Sequence, residues 1–110
     1  MKKALSSGDE LVLLTVWRLN DNAYGVTIRK KVIEATGHEW SVGAIYDSLE
    51  RLTNWEYLKT FQGNPTPERG GRSKRYYKIT EDGVTALNEL RKIQDTLWTS
   101  LPDLGMDAKS

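Results

Sequence analysis

Between Arg69 and Lys78 the chain places five cationic side chains, Arg69, Arg72, Lys74, Arg75 and Lys78, and no acid. The 110 residues together carry a net charge of only +1, so the rest of the chain is acidic on balance. The chemistry offered is attraction for a polyanion, because a phosphate backbone responds to local positive potential rather than to total charge. Gly70-Gly71 does not hold regular structure cheaply, whereas Tyr76, Tyr77 and Ile79 favour a strand. The segment therefore reads as a basic loop running into a short strand. Taken alone, it fits a solvated basic loop equally well.

Other chemistries find little support. With no cysteine there is no disulfide, thiolate metal site or Cys nucleophile. His38 is the single histidine and stands beside Glu39, far short of a metal-ligand set. The acids are scattered, and no serine sits in a nucleophile motif with a histidine partner. No GKS or GKT follows Gly70-Gly71, which excludes a phosphate-binding P-loop. The expectation is a non-enzyme without cofactor or metal. No apolar run approaches the ~18 residues of a membrane span. The opening MKKALSSGDE lacks the apolar core of a secretion signal, so a cytoplasmic protein is expected. At this length one small domain with an appended element is expected.

The elements that must position the cations follow from patterning. Ser7, three residues before Glu10, forms a capping box for a helix over about Gly8 to Leu19. With Leu11, Val12, Leu14, Val16 (or Thr15), Trp17 and Leu19, that helix is apolar on most of its circumference, so it is deeply buried or shared with a partner chain. A second helix runs from Tyr24-Gly25 to about Thr36, with Val26, Ile28, Val32 and Ile33 on its core side and Gly37 ending it in the left-handed conformation. His38 to Trp40 makes a short connection or a small strand. Ser41 caps a third helix, about Val42 to Thr53. Its core stripe is Ile45, Leu49 and Leu52, and Gly43, Ala44, Asp47, Ser48 and Arg51 lie off that stripe. Leu58 to Gln62 alternates as a strand. A turn at Gly63 to Pro67 and the basic loop lead to a return strand at about Arg75 to Ile79. Thr80 caps a last helix reaching about Ser100, with an apolar stripe of Val84, Leu87, Leu90 (or Arg91), Ile93 (or Gln94), Leu97, Trp98 and Leu101. Pro102 stops it.

Helix, helix, helix, hairpin, helix is the order of a winged helix-turn-helix. The fold class expected is mainly α with a small β-hairpin, followed by a C-terminal dimerisation helix. Residues 1–79 form the winged-helix domain, 80–101 the dimerisation helix and 102–110 a tail. The third helix would enter a major groove and the basic hairpin loop would lie on neighbouring phosphates. Element order and charge point to the same surface.

Three blocks carry a family resemblance: Ala23-Tyr24-Gly25; Ser41 to Tyr46 with Leu49-Glu50-Arg51-Leu52; and Arg69-Gly70-Gly71-Arg72 with Arg75 to Thr80 and Gly83. Together, over about Leu11 to Leu90, the chain resembles the PadR-like transcriptional regulators, in particular their compact subgroup with one C-terminal helix. The resemblance implies a homodimeric repressor on a pseudo-palindromic operator of double-stranded DNA. It implies DNA contacts from Ser41, Gly43, Ala44 and Tyr46, with Ser48 and Arg51 on the same helix, and from the wing cations Arg69, Arg72, Lys74 and Arg75. It also implies release by a small aromatic or drug-like effector. Leu11, Leu14 and Trp17 of the first helix and Leu87, Leu97 and Trp98 of the last would form the dimer and ligand interface. The competing readings are a core role for Tyr46, plain dimer packing for Trp17 and Trp98, and a winged-helix protein-interaction module without DNA binding. Two positions depart from the family pattern. Glu56 stands where a glycine is common, so either the turn is reshaped or Asn54 takes the left-handed conformation. Asp47 sets a carboxylate on a helix face meant for DNA.

Overall fold

A computed structural model describes residues 3–63 and 74–104. The hydroxyl of Ser6 accepts from the Asp9 N–H and starts α1, Ser7–Leu19. The cap lies one residue earlier than the capping-box reading placed it. Leu13, Val12 and Val16 of α1 are fully buried and form the centre of the core. A 3-10 turn at Asn20–Asn22 leads into α2, Gly25–Thr36, which ends at Gly37 with φ 73°. Ile28 and Val32 face the core as expected, but Val26 stands out in solvent.

The connection to α3 contains no strand. Three hydrogen bonds fix it. Arg29 Nε donates to the Trp40 carbonyl (2.6 Å), an Arg29 guanidinium nitrogen to Glu39 (3.1 Å), and Trp40 Nε1 to the Thr36 hydroxyl (3.2 Å). Ser41 then caps α3, Val42–Asn54, by accepting the Ala44 N–H. Ile45, Leu49 and Leu52 at i, i+4 and i+7 are fully buried, so the rotational setting of α3 about its axis is fixed by its core stripe.

Strand β1, Leu58–Gln62, pairs antiparallel with β2, Arg75–Ile79, with Leu58 opposite Ile79 and Gln62 opposite Arg75. This two-stranded sheet is the wing. The turn expected at Gly63 to Pro67 lies outside the described residues beyond Gly63. Between α3 and β1, Glu56 takes the left-handed conformation, φ 66°. Neither sequence expectation holds: the turn keeps the glycine-type geometry, and the glutamate itself adopts it. Two hydrogen bonds hold it there. Thr80 Oγ1 donates to the Glu56 carbonyl (2.7 Å) and the Thr80 N–H to the Tyr57 carbonyl (3.0 Å).

Thr80 also caps α4, Glu81–Trp98, with Glu81 and Asp82 in the first turn, where the helix dipole favours them. The first half of α4 packs against the domain through Leu87. In the second half Ile93, Leu97 and Trp98 are all exposed. The radius of gyration, 17.1 Å, exceeds the roughly 13 Å of a compact chain this long. Among the described residues no helix is long and apolar enough to cross a membrane.

Candidate nucleic-acid interface

The outer side of α3 begins with small and apolar groups. Ser41, Val42, Gly43 and Ala44 are all exposed. Tyr46 is 45% exposed, yet its hydroxyl end lies against Gly25: a Cβ built at Gly25 would overlap it. Glycine at the first position of α2 is what lets the Tyr46 ring lie across the α2–α3 junction. The Tyr-Gly pair at 24–25 and the tyrosine at 46 are thus one packing unit. Tyr46 is neither core nor free.

The wing is fastened to the same junction. The Tyr77 N–H donates to the Ala23 carbonyl (2.8 Å), and Tyr24 forms a bridge with Tyr76. Their rings meet edge to face, with centroids 5.3 Å apart, and Lys74 Nζ sits 4.2 Å from the Tyr24 ring centroid. Such a cation–π contact contributes about 0.5–1 kcal/mol at an exposed site. Burial pushes the Tyr77 phenol above its ordinary pKa, and Arg75 beside it pulls the other way. The result is one cleft lined by Tyr24, Gly25 and Val26 of the α2 start, Tyr46 of α3, and Lys74, Arg75 and Tyr77 of the wing. Helix and wing residues proposed separately from sequence converge there. Lys78 turns away and pairs with Asp21 (3.3 Å). Arg69 and Arg72 lie outside the described residues.

Two sequence-proposed residues do something else. Ser48 is buried, and its hydroxyl donates to Asp9 Oδ1 (2.7 Å). Arg51 donates to both Asp9 oxygens (2.8 and 2.9 Å) in a bidentate pair. Ser48 is therefore removed from the DNA-facing set by burial. Arg51, half-exposed, holds α3 to α1. Asp9 is 2% exposed, so its carboxylate is an expensive group to bury without such partners. The Arg51 guanidinium, followed by the Ser48 hydroxyl, holds its pKa below the usual 3.8 despite burial. Arg51 is correspondingly raised. The sequence reading gives Asp9 no role of its own. The signal that could have found it is an acid inside the first turn of an otherwise apolar helix, together with an arginine at the end of a core stripe.

Of the interface residues, Leu11, Leu14 and Trp17 are partly exposed on the outer face of α1, and Leu97 and Trp98 stand at 68% and 73% exposure. Leu87 is a correction: it is buried within its own chain, against the domain core, and is not available to a partner. Among the described residues no group of three or more acidic, histidine or cysteine side chains could hold a metal.

The description "Transcriptional regulator PadR-like family" matches residues 13–89. The chain belongs to this family. The matched region begins in α1, spans the helix-turn-helix and the wing, and ends in the first half of α4. Solved PadR structures share the fold. A PadR family transcription regulator from Clostridium difficile superposes with a TM-score of 0.67 at 18% identity, covering 84% of this chain and 91% of that one. A PadR-like transcription factor from Bacteroides fragilis gives 0.66 at 27% identity, with 81% of each chain covered. A PadR-like regulator from Bacillus cereus gives 0.67 at 20% identity over 81% of this chain and 82% of that one. No curated protein matches the chain. Winged helix and PadR membership agree with the element order read from sequence.

Proposed function

We propose that this PadR-like regulator is a sequence-specific DNA-binding repressor that works as a homodimer on a pseudo-palindromic operator. The observation that carries the proposal is the shared cleft: Tyr46 of α3 and Lys74 and Arg75 of the wing line one surface beside the exposed first turn of α3. In a winged helix, α3 then enters the major groove while the wing cations meet phosphates. Helix α4 and the outer face of α1 would join two chains. Their exposed Leu11, Leu14, Leu97 and Trp98 supply the apolar surface such a joint needs. Trp17 and Trp98 would also give a small aromatic effector two indoles to stack on, and loss of effector-induced quenching in Trp98→Phe would locate it there.

Selection from random duplex DNA, followed by gel shifts across a salt series, tests the DNA-binding role. Three wing cations per chain on phosphates contribute roughly −5 to the log–log salt slope of one dimer. Arg72→Ala with Arg75→Ala should weaken binding to every sequence and flatten that slope. An unchanged slope in the double variant would remove the wing from the interface. The second reading, a protein-interaction module, draws on Asp47 and Glu50, two exposed carboxylates on α3 that repel phosphate. A folded dimer that enriches no DNA sequence would favour it.

A further inference from the structure

A second groove continues from the cleft just described and shares Gly25, Val26 and Tyr46 with it. It runs between α2 and α3, and its remaining walls include Val42 and Ile45, with Arg29 and Lys30 at its edge. Val26 is 63% and Val42 55% exposed. Both are β-branched, stiff at χ1, and held on helices whose setting the core fixes. An apolar floor flanked by Lys30, with Arg29 already held by Trp40 and Glu39, fits a partner that displays a methyl group near an anionic group.

Past the Ser41 hydroxyl, which keeps its O–H to donate, the first turn of α3 offers no polar side chain for reading. Val42, Gly43 and Ala44 have no hydrogen-bonding side chain, and the Ser41 oxygen already accepts the Ala44 N–H at 3.0 Å. The N-terminal residues of a recognition helix are those that meet base edges. In the major groove the apolar feature of a base pair is the C5-methyl of thymine. We propose that Val42, with Val26 across the groove, reads the C5-methyl of thymine, so that sequence choice at the first turn of α3 depends on a methyl group. This rests on the DNA-binding reading above.

The test uses the full chain and a duplex obtained by selection, with each thymine replaced singly by deoxyuridine, which lacks only that methyl. Removing one buried methyl should weaken binding about fourfold at one thymine in each half-site. Val42→Ala, at an exposed position and checked by its thermal melt, should bind thymine and uracil forms of that site equally. Wild-type protein that tolerates uracil at every position would overturn the proposal. So would discrimination that survives Val42→Ala undiminished. If selection enriches no duplex at all, DNA binding itself fails and the inference falls with it, an outcome distinct from binding that ignores the methyl.

Discussion

The inner and outer faces of α1 are similar in composition and opposite in fate. Val12, Leu13 and Val16 are sealed in the core, whereas Leu11, Leu14 and Trp17, on the same turns, remain at the surface. The same split divides α4 between its first half, with buried Leu87, and its second half, where Gln94 reaches α1 but Leu97 and Trp98 stay exposed. Hydrophobic periodicity says which residues leave water. It does not say whether they leave it inside one chain or between two. The exposed apolar residues of α4 lie where that helix outruns the domain beneath it.

Substitutions on the two sides should separate these fates. Leu97→Glu with Trp98→Glu should leave the fold of each chain intact and abolish association. Four side chains across two copies, at roughly 1.5 kcal/mol each, amount to about 6 kcal/mol of binding free energy. Sedimentation equilibrium measures the loss, and a double variant that stays dimeric would transfer the seam elsewhere. Leu13→Ala, on the buried side, should lower unfolding stability by about 3 kcal/mol in urea titration, with little direct effect on the seam.

Asp9→Asn probes the join between α1 and α3. Losing a charge-assisted bidentate pair should lower stability by about 2 kcal/mol. The pH dependence has a definite sign. A carboxyl whose folded pKa is depressed contributes fully above its ordinary value of 3.8, and the contribution is lost as pH falls below that value through the folded pKa. Wild type should therefore lose stability in that acid window more steeply than Asp9→Asn, as read from urea midpoints at successive pH values. The smallest effect expected is a gain: Glu56→Gly should stabilise the fold by about 1 kcal/mol, because glycine adopts φ 66° without penalty. An unchanged or lower urea midpoint would mean that the glutamate side chain offsets its backbone strain.

Much of the fold was legible in the chain. The core stripe Ile45, Leu49 and Leu52, the caps Ser41 and Thr80, the glycine stop at Gly37 and the two strand spans all follow from local rules that the tertiary structure respects. The site was legible only in part. Charge located Lys74 and Arg75, but periodicity could not show that Ser48 and Arg51 are drawn toward a carboxylate 39 and 42 residues earlier in the chain. Val26 was misplaced for a related reason. A valine on a helix is assumed to seek the core, yet Val26 is 63% exposed. Long-range polar partners and close approaches are set by tertiary geometry, to which a local pattern is blind.

Asp9 and Glu10 are neighbours with divergent attachments. Asp9 is tied to Arg51 of α3, and the Glu10 carboxylate accepts from Gln94 of α4 (3.4 Å). One turn of α1 thus grips both the helix that would read DNA and the arm that would reach the second chain. The protomer forms a bracket in which α1 touches both of these members. Were two such brackets to pair as proposed, the distance between the two reading helices would be set where they meet. A compound lodged in that seam would act as a shim, changing the span of the pair.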